Sequence, residues 1–290
     1  MNLKGSFVAI VTPMKKSGDI DFQAFKKLLN WHIEEGTKGI VVLGTTGESA
    51  TLIAKEREEL IKFAIKEVNG RVPVLIGTGT NNTKTSIEYS QEAERLGADA
   101  CLVVAPYYNK PPQAGMVAHF KAVANAVKIP VILYNVPGRT SSDILPETVA
   151  ELATVDNIVA VKEATGDLER LQALKAICPK DFYYLSGDDG TGCEFVLQGG
   201  HGVISVTANV APKRMSDMCS VAVKGQADEA KRLDQHLRPL HEKLFVQSNP
   251  IPAKWALYEM GMIDEGIRLP LLPLEESYRP ELQNVLKELE

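Results

Sequence analysis

Short apolar runs alternate with amphipathic stretches along most of the chain. The runs begin near Phe7 (FVAIVTP), Gly39 (GIVVLGTTGE), Pro73 (PVLIGTGT) and Ala100 (ACLVVAPYYN), then near Pro130 (PVILYNVPGR), Ile158 (IVAVKEATGD), Phe182 (FYYLSGDD) and Gly202 (GVISVTANV). Each gives way to glycine or polar residues, and strict apolar–polar alternation is absent. That pattern fits strands covered on both faces, as in a parallel sheet clothed by helices. Between the runs, segments such as Asp21–Glu35, Lys55–Val68, Thr83–Leu96 and Ala114–Val127 carry apolar residues at helical spacing. Roughly eight such units at near-constant spacing predict a closed (β/α)8 TIM barrel in the α/β class. An open doubly wound sheet is the competing architecture, but its G-x-G-x-x-G fingerprint after an early strand is missing.

The eighth unit ends by about Val223, which divides the chain into a barrel over 1–224 and a C-terminal helical extension over 225–290. Within the extension, Gln226–Val246, Pro250–Tyr258 and Glu275–Leu289 have helical patterns, and Gly266–Pro273 is a loop. No low-complexity linker precedes this tail, so it is expected to dock on the barrel.

Composition narrows the function. The 290 residues are 44% hydrophobic and 24% charged, enough for one large core, and the net charge is −5. An acidic balance lacks the basic footprint of a nucleic-acid binder. No stretch approaches the ~18 uninterrupted apolar residues of a membrane span, and the first residues lack the apolar core of a signal peptide. Cys101, Cys178, Cys193 and Cys219 are scattered without C-x-x-C pairing, which argues against structural zinc and a disulfide framework. A cytoplasmic setting is expected. The five histidines show no metal-ligand spacing, and Asp188-Asp189 is better read as a helix N-cap than as a metal site.

In such a barrel the active site forms where the C-terminal strand ends meet the following loops. Those ends carry Thr12, Gly44-Thr45-Thr46-Gly47-Glu48, Tyr107-Tyr108-Asn109, Tyr134-Asn135, Arg139, Lys162-Glu163, Gly187-Asp188-Asp189 and Thr207-Ala208-Asn209. Lys162 is the most informative. Alternation along Ile158–Glu163 puts Ile158, Ala160 and Lys162 on one face. An apolar interior favours the neutral amine, which is a nucleophile toward carbonyl carbon. The plainer reading is a strand-end lysine whose head reaches water or pairs with a carboxylate. Each neighbour has a similar pair of readings. Thr45 and Thr46 suit a carboxylate-holding turn or a cap on the next helix. Tyr134 suits a proton relay or a packed barrel tyrosine, and Arg139 a carboxylate fork or a solvated surface cation.

Three motifs, GTTGES at Gly44, YNVPGRT at Tyr134 and VAVKEATGD at Val159, resemble those of the pyruvate-dependent class I lyase family that includes dihydrodipicolinate synthase and N-acetylneuraminate lyase. The likeness runs in order and spacing from Phe7 to about Thr207. The Pro-Gly-Arg turn resembles the synthase branch rather than the sialic acid lyases. The resemblance implies condensation of pyruvate with L-aspartate semialdehyde to 4-hydroxy-tetrahydrodipicolinate, a step toward diaminopimelate and lysine. It implies an imine on Lys162 and a proton relay through Tyr134, Thr45 and Tyr108, the last reaching in from a neighbouring subunit. Thr46 would hold the pyruvate carboxylate and Arg139 that of the semialdehyde, with Gly187 and Ile204 contributing backbone. No metal or organic cofactor is implied, and the assembly would be a homotetramer built as a dimer of dimers.

The same resemblance implies a second, allosteric site for lysine around Ser49, Ala50, Asn81 and Tyr107. Flanking it, this chain has Ala54, Arg57 and Thr85, where sensitive members often have histidine or glutamate. A guanidinium beside a cationic ligand is unfavourable, so lysine is expected to inhibit weakly or not at all. Two alternatives compete with the leading function: a Schiff-base aldolase acting on a sugar acid, and a non-catalytic keto-acid-binding barrel. The latter has no use for a proton relay.

Overall fold

The computed structural model describes residues 1–288. Strands β1 (Gly5–Ala9), β2 (Gly39–Val42), β3 (Val74–Gly77), β4 (Ala100–Val104), β5 (Val131–Asn135), β6 (Ile158–Glu163), β7 (Tyr183–Ser186) and β8 (Gly202–Ser205) form a closed parallel barrel in chain order. The ring closes through β8 and β1, from Gly5 opposite Gly202 to Val8 opposite Ser205. Helices α1 (Phe22–Glu34), α2 (Ala54–Val68), α3 (Thr83–Leu96), α4 (Gln113–Asn125), α5 (Pro137–Thr140), α6 (Pro146–Leu152), α7 (Leu168–Ile177), α8 (Asp189–Leu197) and α9 (Pro212–Val223) follow the successive strands, α5 and α6 both lying between β5 and β6. The predicted (β/α)8 TIM barrel is therefore the fold.

Two apolar layers explain why the strands lacked alternation. Phe7, Ala9, Val41, Leu75, Leu102, Ile132, Ala160, Leu185 and Ile204 pack together inside the ring. Their chain neighbours Val8, Ile40, Val42, Ile76, Val103, Leu133, Val161 and Val203 face outward and meet Phe25, Leu28, Leu60, Phe120 and Leu171 of the helices. Side chains on both strand faces leave water, so both must be apolar.

Strand β6 departs from simple alternation. Ile158 belongs to the outer layer, whereas Val159 packs against the inner one, so Ile158 does not share the face of Lys162. The pairing with β5 shifts at this point: Val131 is opposite Ile158, but Ile132 is already opposite Ala160. One extra residue on β6 is a β-bulge, which reverses the facing of everything before it. Beyond the bulge Ala160 and Lys162 keep their shared inward face.

The chain continues into α10 (Ala227–Lys243), α11 (Ile251–Glu259) and α12 (Arg279–Lys287), the last preceded by a 3₁₀ turn at Glu276–Tyr278. Of the predicted final helix, residues 289–290 lie outside the described residues. Helix α10 packs against α9 and α8. The segment between α11 and α12 returns to the barrel through Arg268, which donates to Glu56 at 2.5 and 2.8 Å, to Thr51 O at 2.9 Å and to Gly18 O at 2.9 Å. Among the described residues no helix is long and apolar enough to cross a membrane.

Candidate active site

Lys162 ends an inward-facing row of β6 and is 6% exposed. Its neighbour across the strand pair is Tyr134 of β5, and Nζ lies 4.1 Å from the centre of that ring. Among the described residues Nζ has no carboxylate within ion-pair distance. The plain reading of a lysine paired with an acid therefore does not hold here. The amine faces a cavity of about 170 Å³ whose lining includes Thr45, Thr46, Tyr134, Arg139, Lys162 and Gly187. A space of that size suits a small metabolite rather than a dinucleotide.

The outward-facing residues next to these two side chains hold the strand ends in place. Glu163 is buried and accepts from Asn135 Nδ2 at 3.0 Å, Arg170 Nε at 3.1 Å and Thr165 N at 2.9 Å. Arg170, on α7, also forms a fork to Asp143 at 2.7 and 3.0 Å. One guanidinium serves both carboxylates, the buried Glu163 and the part-exposed Asp143, so the buried acid has a cationic partner as well as neutral donors. This network joins β5, β6 and α7 directly behind Tyr134 and Lys162. At Gly187 the requirement is space: a Cβ there would meet Lys162 Cε at 2.8 Å and Ala164 Cβ at 2.7 Å.

The loop after β2 folds as consecutive turns, with Gly47 N donating to Gly44 O and Glu48 N to Thr45 O, both at 3.1 Å. Thr12 Oγ1, in the segment after β1, secures it by donating to Gly47 O at 2.7 Å. Helix α2 starts only at Ala54, with Ile53 at the N-cap. Thr45 and Thr46 consequently do not cap it and instead line the cavity. Glu48 adopts a left-handed conformation with φ 53° and forms a buried ion pair with Lys254 of α11. Desolvation lowers the Lys254 pKa, opposed by the attraction of Glu48.

Arg139 sits on the one-turn helix α5, exposed at the cavity rim, and donates from Nη2 to Asn249 O at 3.3 Å. Asn249 Nδ2 in turn donates to Thr46 Oγ1 at 2.9 Å. Asn249 and Phe245, both from the segment joining α10 to α11, complete the wall. Neither was singled out in the sequence, where Gln247-Ser248-Asn249-Pro250 resembles an ordinary turn between helices. Asp188 lines the cavity too while serving as the predicted N-cap of α8, accepting from Thr191 N at 2.9 Å.

The remaining predicted residues lie elsewhere. Ile204 is buried in the barrel interior and does not line the cavity. Tyr108 is 88% exposed, with φ 72°, and stands outside the cavity of its own chain. Ser49 and Ala50 form part of a 3₁₀ turn, while Asn109 Nδ2 donates to Asn81 O at 2.8 Å and brings the Tyr107 loop to Asn81. None of these four lines the cavity. Arg57 is buried beside them, stacked 4.1 Å over Tyr89 and donating to Gly77 O at 2.8 Å. Among the described residues it has no ion-pair partner, and desolvation lowers its pKa. The four cysteines are free, and burial raises each thiol, to about 11 for Cys101 and Cys178 and about 12 for Cys193.

Comparison with known proteins shows the family to which this fold belongs. The model of the dihydrodipicolinate synthetase family matches residues 2–289. The 4-hydroxy-tetrahydrodipicolinate synthase of Alcanivorax borkumensis is 55% identical over 286 residues, covering 99% of this chain and 97% of the relative. That of Methylococcus capsulatus is 53% identical, covering 99% and 98%. The chloride-inhibited dihydrodipicolinate synthase of Acinetobacter baumannii, solved with pyruvate, superposes with a TM-score of 0.98 at 52% identity, covering 99% of each chain. Matched from end to end, with a lysine and tyrosine side by side at the barrel mouth, this chain belongs to the dihydrodipicolinate synthetase family.

Proposed function

We propose that the protein condenses pyruvate with L-aspartate semialdehyde to give 4-hydroxy-tetrahydrodipicolinate. The observation that carries this reading is the Lys162 amine, buried, without a carboxylate partner, and facing a cavity that also presents Tyr134, Thr45, Thr46 and Arg139. The relative from Acinetobacter baumannii, solved with pyruvate, supports the choice of first substrate.

In this mechanism Lys162 Nζ attacks the ketone carbon of pyruvate, and water leaves as the imine forms. The iminium draws electrons from the methyl carbon, which loses a proton to give an enamine. That carbon then attacks the aldehyde of the second substrate, and the aldehyde oxygen takes up a proton. The amine of the new chain displaces Lys162 from the imine carbon and closes a six-membered ring, freeing the lysine. Tyr134 and Thr45 move protons at these stages together with Tyr108 of the partner subunit. Thr46 binds the pyruvate carboxylate through its hydroxyl and backbone, and Arg139 forms a fork to that of the semialdehyde. Gly187 keeps the Lys162 side chain unobstructed, and Gly187 and Ile204 contribute backbone near the pyruvate and the lysine.

The protein would act in the cytoplasm as a homotetramer, each pocket completed across a subunit contact and using no cofactor. Ser49, Ala50, Asn81 and Tyr107 would form a lysine-binding site weakened by Arg57. Residues 1–224 would form the catalytic barrel and 225–290 the docked extension.

The test is borohydride reduction in the presence of pyruvate, followed by peptide mass mapping. A lactyl-sized addition is expected on the peptide containing Lys162. Modification of another lysine, or none, overturns the mechanism. Turnover of N-acetylmannosamine in preference to aspartate semialdehyde would instead move the protein to the sugar-acid aldolases.

A further inference from the structure

Asn249 is 6% exposed and lies 203 positions from Thr46 in the chain, yet its side-chain Nδ2 donates to Thr46 Oγ1 at 2.9 Å. A threonine hydroxyl has one proton and two lone pairs. With a lone pair engaged by the amide, the hydroxyl keeps its own proton for another partner. Thr46 lines the cavity in front of Lys162, where the first substrate's carboxylate offers only acceptors. An amide donor behind the hydroxyl and a carboxylate before it make a consistent chain of donors, each bond polarising the next.

Two further observations indicate that this arrangement serves the site rather than the loop. Asn249 Oδ1 is buried and accepts no hydrogen bond among the described residues. An unpaired buried acceptor costs free energy, and such costs concentrate where geometry serves function. The backbone carbonyl of the same residue accepts from Arg139 Nη2 at 3.3 Å. One residue of the segment after α10 therefore touches both cavity groups assigned to substrate carboxylates.

We propose that Asn249 is a positioning residue: its side chain fixes Thr46 as a hydrogen-bond donor to the keto-acid carboxylate, while its main-chain oxygen steadies Arg139. The inference rests on the Schiff-base reading given above. It distinguishes between substitutions of almost equal size. In Asn249→Asp the side chain offers only acceptors, so it takes the Thr46 proton and turns lone pairs toward the incoming carboxylate. In Asn249→Ala the hydroxyl is merely released.

The experiment measures steady-state kinetics of Asn249→Asp and Asn249→Ala in the wild-type and Thr46→Val backgrounds. Asn249→Asp should raise the KM for pyruvate about tenfold or more, and Asn249→Ala about threefold, roughly the effects of reversing and of losing one hydrogen bond to a charged group. The KM for aspartate semialdehyde should change less than about twofold, because the main-chain contact to Arg139 remains. In Thr46→Val both effects on pyruvate should vanish, since neighbours that act through one another are not additive. Equal pyruvate KM values for wild type and both variants, or effects that persist in Thr46→Val, overturn the proposal. If Asn249→Asp fails to fold, the Ala variant in the two backgrounds decides by the same criterion. Borohydride trapping of pyruvate on wild-type Lys162 separates the outcomes: loss of trapping defeats the Schiff-base reading, whereas intact trapping with unchanged KM values defeats only the role of Asn249.

Discussion

Lys162 and Tyr134 are register partners on adjacent strands, and Lys162 Nζ lies 4.1 Å from the centre of the phenol ring. This places the proposed nucleophile and a candidate proton donor on one inward face, fixed by the backbone ladder rather than by a loop. The ring face and the hydroxyl thus have separable tasks. The face lies against the Lys162 side chain, and the hydroxyl is the group proposed to carry protons.

Tyr134→Phe keeps the ring and removes only the hydroxyl. Imine formation with pyruvate, read as borohydride-trapped adduct, should persist, while overall turnover falls by roughly 10²–10⁴-fold, the usual share of a general acid–base group. Turnover within a few-fold of wild type would remove Tyr134 from the relay.

Arg139→Ala should separate the two substrates. A bidentate contact to a carboxylate contributes roughly 1.5–3 kcal/mol, so kcat/KM for aspartate semialdehyde should drop about tenfold to a hundredfold or more. Trapping of pyruvate on Lys162 should be little changed. Normal handling of the semialdehyde by this variant would leave the rim arginine without its proposed role.

Free lysine should inhibit weakly. Arg57 is buried beside the Tyr107 and Asn81 loops and lacks an ion-pair partner among the described residues. At ~4 Å and an effective dielectric near 20, like charges repel by on the order of 4 kcal/mol before screening. Initial rates at saturating pyruvate should therefore be nearly flat through submillimolar lysine. Strong inhibition in that range would mean the ligand's amine avoids the guanidinium.

Acid should weaken the fold before it removes the surface ion pairs. His32 is fully buried, with Nδ1 3.4 Å from Thr37 Oγ1 and, among the described residues, no partner for Nε2. Burial lowers its pKa from 6.5 to about 3, and that of His119 to about 4. Between those values and 6.5 the unfolded chain binds protons that the native one does not, so stability rises with pH across this window. The contribution is complete above pH 6.5 and is lost as pH falls through the folded values. For His32 the loss between pH 6.5 and 4.5 is about 2 kcal/mol. Thermal midpoints at pH 7 and 4.5 should differ less in His32→Leu than in wild type. Identical differences would place the acid sensitivity elsewhere.

Much of this site was legible in the sequence because barrel topology gathers the C-terminal strand ends without any tertiary detail. Lys162 and Tyr134 lie at the ends of strands, Thr45, Thr46, Arg139 and Gly187 a few residues beyond one, and the closed ring brings them together. What was hidden depends on contacts with no local signature. The bulge at Val159 leaves the composition of β6 looking like regular alternation, so Ile158 was placed on the wrong face. Phe245 and Asn249 reach the cavity because α10 packs on α8 and α9 and returns the chain to the mouth. Nothing in a Ser-Asn-Pro turn announces that destination.

Phe245 gives the cavity a wall with its own mutational economy. It is 44% exposed and lies between α10 and α11, outside the strand ladder, whereas Lys162 and Tyr134 are built into the ring. Replacing a ladder residue disturbs the packed interior, while replacing Phe245 leaves every strand pairing intact. Variation at Phe245 can thus reshape the cavity wall while the ring that carries Lys162 and Tyr134 keeps its register.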